Sequence, residues 1–194
     1  MRDRYAGIIE NDIVDSIDGV SVSFWVQGCP HHCPGCHNKI AWDFNGGLSL
    51  PSNIKDIIID KLTLNGFSRN FSILGGEPLC NENIELVKSL IMHVKTNSPK
   101  SKIIVWTGYT LDELVSRKND PATEYVLETA DYLVDGRYDE TRRDTIHLSL
   151  RGSSNQRVLK RVEPSVIDKA VGKKYKYEDV SDEMDDKLSP IFSQ

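Results

Sequence analysis

Three of the four cysteines, Cys29, Cys33 and Cys36, fall within eight residues, in the string C-P-H-H-C-P-G-C. A disulfide framework spreads its cysteines along the chain to close loops, whereas clustered thiols in a reducing compartment read as ligands for a metal or a cluster. Three thiolates can hold three corners of a cubane [4Fe–4S] cluster. If the distant, single Cys80 is not a fourth ligand, one iron stays open to a ligand from outside, which suits chemistry rather than electron transfer. The alternative is a zinc site completed by His31, His32 or His37. Zinc sites of that kind usually carry a second C-x-x-C pair about twelve or more residues away, and this chain has none. Cys80 reads as a small buried hydrophobe.

A second candidate is Gly75-Gly76-Glu77-Pro78, which follows the apolar run 71–74. Ligand-binding residues of α/β folds gather where strands end. Two glycines allow a ligand to approach the backbone closely, and a carboxylate accepts hydrogen bonds from an ammonium. A glycine turn after a strand is commonplace alone; one strand after the cysteine cluster, it is informative.

The elements that must position these residues follow from periodicity. Residues 20–26, 71–74, 102–106, 132–134 and 146–150 read as strands. Ile54, Ile57, Ile58 and Leu62 repeat at helical spacing, with Ser52 as the expected N-cap behind Pro51. Ile84, Val87, Ile91 and Val94 mark a second amphipathic helix. Thr110 with Glu113 forms a capping box, and Asp120-Pro121 opens another short helix. Strand and helix in alternation imply α/β architecture with a mostly parallel sheet. Five such units are too few to close an eight-stranded barrel, so an open, partial (β/α) barrel is expected over residues 1–159. After about residue 160 the pattern fades, and six of the nine residues 178–186 are acidic. Residues 160–194 therefore read as a charged extension, peripheral or poorly ordered.

The 194 residues are 39% hydrophobic and 27% charged, with a formal net charge of −5. That balance argues against a protein that coats nucleic acid, which needs a basic surface. No stretch approaches the roughly eighteen apolar residues that span a bilayer, and no signal peptide is visible behind Met1. A cytoplasmic location is expected, with neither membrane nor nucleic acid as partner.

The cysteine motif and the G-G-E motif together resemble the radical S-adenosylmethionine superfamily over roughly residues 5–159. Three further stretches narrow the resemblance: W-V-Q-G-C at 25–29, leading into C-P-G-C-H-N-K at 33–39 and Trp42; W-T-G-Y-T at 106–110; and D-G-R-Y at 135–138 ahead of R-G-S-S-N-Q-R at 151–157. They look like the activating enzymes of anaerobic (class III) ribonucleoside-triphosphate reductase. The stretch 18–23, Asp-Gly-Val-Ser-Val-Ser, departs from the D-G-P-G or D-G-E-G with a following arginine that many relatives carry.

The resemblance implies that Cys29, Cys33 and Cys36 ligate the cluster. It implies that Gly35, Cys36, His37, Gly75, Gly76, Glu77, Thr107, Arg151 and Ser153 surround S-adenosylmethionine, with His37 replacing the aromatic that stacks on adenine in relatives. The implied reaction is one-electron cleavage of the sulfonium C–S bond to methionine and a 5′-deoxyadenosyl radical, which takes hydrogen from the Cα of one glycine in the large reductase subunit. No catalytic acid or base is required, because the cofactors carry the chemistry. A flavodoxin- or ferredoxin-type protein would supply the electron. Competing readings are an activase of another glycyl-radical enzyme such as pyruvate formate-lyase, a small enzyme remodelling a pterin-derived ring, and a non-catalytic zinc-binding module.

Overall fold

The computed structural model describes residues 3–117, 119–144 and 146–186. One eight-stranded sheet organises them. Its strands are β1 (Arg4–Asp12), β2 (Ser21–Val26), β3 (Leu48–Ser49), β4 (Asn70–Gly75), β5 (Ile103–Thr107), β6 (Tyr132–Asp135), β7 (Arg157–Val162) and β8 (Lys176–Asp179), in spatial order β3-β1-β2-β4-β5-β6-β7-β8. The centre, β2-β4-β5-β6, is parallel. The flanking pairs are antiparallel, which corrects the expectation of a mostly parallel sheet. A parallel neighbour requires a crossover, usually helical. Helices α1 (Ile54–Leu62), α2 (Ile84–Asn97) and α4 (Pro121–Thr129) provide it in the centre, whereas β1 returns to β2 through residues 13–20 and β7 to β8 through residues 163–175, which include helix α5 (Val166–Ala170).

Each central strand buries both faces. Val22, Phe24 and Val26 of β2, with Phe71, Ile73, Ile103, Val105 and Leu133, pack in one core with α1, α2 and α4. The alternate residues Ile104, Val134 and Val158 form a second core with Ile17, with Val180 and with Met184 of helix α6 (Ser181–Asp186). This two-sided burial is why β5 and β6 read as apolar runs, while β2 and β4 are interrupted by the buried Ser23 and Ser72.

The capping box at Thr110 and Glu113 starts α3 (Leu111–Val115), and Asp120 caps α4 with Pro121 in its first turn. The N-cap of α1 is Asn53, one residue later than expected. Residues 146–150 form no strand. The Asp144 carboxylate accepts the N–H groups of Ile146 and His147, and Leu150 adopts φ +63°, so the backbone cannot extend into a ladder. The expected boundary at 159/160 falls inside β7, and residues to Asp186 extend the sheet edge through β8 and α6. Residues 187–194 of that extension lie outside the described residues.

Candidate active site

Strand β2 ends at Val26, and the chain then makes a loop that returns beside its own start. Gly28 N–H donates to Ala41 O (2.8 Å) and Cys29 N–H to Trp42 O (3.1 Å), closing the neck. The buried Gln27 amide reinforces it from inside, donating to Ile40 O (3.0 Å) and Asp43 O (2.7 Å). Cys29, Cys33 and Cys36 project from this loop into one cleft at the carboxyl ends of the parallel strands, about 140 Å³ in volume. Burial, reinforced by the Glu77 charge, pushes the Cys29 thiol up to about 11, and burial also raises Cys33. Both are therefore thiols at neutral pH and release protons when they take a metal. Asn38 N–H already donates to Cys36 Sγ (3.4 Å). Cys80 is fully buried elsewhere, its thiol pushed up to about 12 by desolvation, and does not line the cleft.

The opposite wall is the end of β4. Gly76 needs its hydrogen because a Cβ there would lie well inside contact distance of Gly28 O, while Glu77 N–H donates to that same carbonyl (2.9 Å). The glycine thus admits the neighbouring chain, a closer constraint than the ligand approach expected from the sequence. Glu77 is 1% exposed. Its Oε1 accepts Leu79 N–H (2.8 Å) and the Thr107 hydroxyl (2.7 Å), and its Oε2 accepts Gly108 N–H (2.6 Å). The fourth donor is His31. Arg137 Nε donates to His31 Nδ1 (3.3 Å), which leaves the proton on Nε2 to donate to Glu77 Oε2 (3.0 Å). One carboxylate thus ties the ends of β4 and β5 to the cysteine loop.

Of the residues expected around the cofactor, Cys36, His37, Gly75, Gly76, Glu77 and Thr107 line this cleft, and Gly35, Arg151 and Ser153 do not. Gly35 (φ +71°) turns the loop against the Glu140 carboxylate. Arg151 pairs with Asp185 of α6 and donates to Gln156 O (3.1 Å). Ser153 is fully buried, and its hydroxyl accepts Asp139 N–H (3.1 Å). Gln156 joins the two ends of this excursion, donating to Gly136 O (2.9 Å) and accepting Gly152 N–H (3.0 Å). The R-G-S-S-N-Q string thus builds the wall behind Gly136 and Tyr138 and reaches the cleft itself through Gln156.

Trp25, Leu74 and Trp106 also line the cleft; the sequence offered Trp25 and Trp106 only as parts of the strings that carry the resemblance, and Leu74 only as the end of an apolar run. Strand alternation marks them, since each is the last outward residue of its strand on the face opposite the helices. The buried Nε1 atoms of Trp25 and Trp42, two lining residues, have no partner among the described residues. Buried donors are seldom left unpaired; the donor set of the cleft itself, three thiols of one loop, fits a cluster that takes three thiolates.

Residues 18–159 match the family described as a 4Fe-4S single cluster domain. This defines the class of the cleft and sets aside zinc as its metal. The chain is 37% identical over 146 residues to the anaerobic ribonucleoside-triphosphate reductase-activating protein of Escherichia coli K12, covering 75% of this chain and 90% of that one. It is 36% identical over 154 residues to the protein of that name from Salmonella typhimurium, covering 79% and 96%, and 31% identical over 155 residues to that of enterobacteria phage T4, covering 80% and 92%. The chain belongs to the family of anaerobic ribonucleoside-triphosphate reductase-activating proteins.

Proposed function

We propose that this chain installs a glycyl radical in an anaerobic ribonucleoside-triphosphate reductase, using a [4Fe–4S] cluster held by Cys29, Cys33 and Cys36 and S-adenosylmethionine bound beside it. The observation that carries the reading is the meeting of three cysteines from one loop with Glu77 of the next parallel strand in one cleft. Together the reduced cluster and S-adenosylmethionine supply a 5′-deoxyadenosyl radical. The protein's own part is to hold, orient and shield. Gly75, Gly76 and Glu77 receive the amino end of S-adenosylmethionine, with Thr107 fixing the Glu77 carboxylate, and His37 lies against the adenine. Gly35, Arg151 and Ser153 act by shaping the loop and the wall.

The parallel centre is read as a partial barrel of the radical S-adenosylmethionine type, whose open side admits a protein loop carrying the target glycine. β7, β8 and α6 belong to its edge. A flavodoxin- or ferredoxin-type protein donates the electron, and the setting is the cytoplasm; no helix of the described residues is long and apolar enough to cross a membrane.

The test is anaerobic reconstitution with iron and sulfide, followed by reduction and an assay for 5′-deoxyadenosine, with and without the reductase. The expected result is cleavage plus a glycyl signal in the reductase by electron paramagnetic resonance. Cleavage with no such signal removes the partner from the reading, and a protein that takes up no cluster removes the reading altogether.

A further inference from the structure

A carboxylate offers about four lone-pair positions to donors, and all four on Glu77 are filled by groups of this chain. An ammonium can be accepted there only if one donor leaves. Leu79 and Gly108 donate from backbone at strand ends, and Thr107 is buried with its hydroxyl also accepting Tyr109 N–H (3.1 Å). His31 makes the longest of the four bonds, and it makes it from a loop side chain whose departure breaks no backbone hydrogen bond. Its ring rests edge-on against Tyr109 (centroids 4.5 Å apart), and Arg137, itself paired with Glu113 (3.0 Å), holds it from behind.

We propose that His31 is a placeholder for the amino group of S-adenosylmethionine: in the free protein it fills the acceptor position on Glu77 that the ammonium takes over, and Arg137 latches it there. The inference rests on Glu77 being the acceptor of that amino group. Its consequence is a reduced apparent affinity, because only the fraction of molecules with His31 displaced is competent to bind. His31 is thus a positioning residue that keeps a buried carboxylate paired until its ligand arrives, rather than a group that touches the reacting bond.

The experiment is equilibrium dialysis of S-adenosylmethionine against the cluster-loaded, oxidised protein, with iron content measured in parallel. His31→Phe donates nothing to Glu77 and so has no bond to give up when the ring swings aside, and Kd is expected to fall by about ten-fold, the worth of one such hydrogen bond. His31→Gln restores a donor and is expected to bind like the native protein. Arg137→Ala leaves the loop sequence intact, loosens the latch and is expected to lower Kd by about three-fold; it decides the matter if His31→Phe fails to load iron. Weaker or unchanged binding in both His31→Phe and Arg137→Ala, with Glu77→Gln still impaired, overturns the placeholder alone. Native protein that loads the cluster but does not bind S-adenosylmethionine overturns the proposed function and the placeholder together.

Discussion

The sheet face opposite the helices has two ends, and they are finished in opposite ways. At the amino ends of the parallel strands the chain plugs its own fold. Ser23 donates to Asp12 Oδ2 (2.6 Å), Ser72 donates to Asp15 O (2.5 Å), and Ile17 joins the second core. At the carboxyl ends Trp25, Leu74 and Trp106 line a cleft walled by the cysteine loop. The open end holds the buried Glu77, and the closed end holds the buried Asp12 with the half-buried Asp15 beside it. Glu77 faces four donors. Asp15 instead faces the carboxylate of Asp12, and burial together with that charge lifts it to about 6. The closed end meets Asp12 with Val14 N–H, Asp15 N–H and the Ser23 hydroxyl and leaves Asp15 beside that charge, whereas the open end turns four donors onto Glu77 with no second carboxylate against it among the described residues.

Three variants can break or sharpen this contrast. The largest effect is expected from Glu77→Gln, which turns one acceptor oxygen toward the donors as an amide NH₂. Unfolding of the metal-free protein in denaturant should show a loss of about 4 kcal/mol, and S-adenosylmethionine binding should vanish. A stable variant that still binds would mean that the four donors are incidental.

Next is Gly76→Ala, whose Cβ meets the Gly28 carbonyl, a backbone atom that cannot yield. About 3 kcal/mol of stability should go, whereas Gly7→Ala, with nothing within 4 Å of its Cβ, should change stability by less than about 0.5 kcal/mol. Equal losses would dissolve the argument that the β4 end is clamped to the cysteine loop.

The smallest effect is at the closed end. The folded-state pKa of Asp15 lies above its unfolded value, so its protonation favours folding. Its contribution is therefore complete below about pH 4 and lost as pH rises through about 6. Asp15→Asn should accordingly stabilise the protein by about 1 kcal/mol at pH 7, after discounting for partial exposure, and by nothing near pH 4. A variant that destabilises at pH 7 would show that the charged form of Asp15 is the one the fold needs.

How much of this was legible in the sequence depends on whether a residue's partners are local. The cysteine spacing, the G-G-E turn, the capping box at Thr110 and the four central strands are local patterns, and each lies where it was expected. Strand β1, Arg-Tyr-Ala-Gly-Ile-Ile-Glu-Asn-Asp, escaped because it lies next to the sheet edge, beyond which only the two-residue β3 pairs with it, with little of its surface buried and no long apolar run. The run Ile146, Leu148, Leu150 alternates like a strand, yet Asp144 captures its amides. β7, Arg-Val-Leu-Lys-Arg-Val, was passed over as the start of a charged extension. His31 lies inside the motif that drew attention first, but its partner is 46 residues away, a relation that spacing alone does not carry. Arg151 and Ser153 were placed at the cofactor because their string is specific; their contacts show that a specific string can serve to build a wall.

The most direct test of the central claim, that three of the four cysteines hold a cluster at the open end, is iron and sulfide content after anaerobic reconstitution of four single variants. Cys80→Ala should retain the native load of about four irons per chain, and Cys29→Ala, Cys33→Ala and Cys36→Ala should each fail to retain it while keeping native circular dichroism. A full cluster in any of those three variants, or its loss in a folded Cys80→Ala protein, would contradict the assignment.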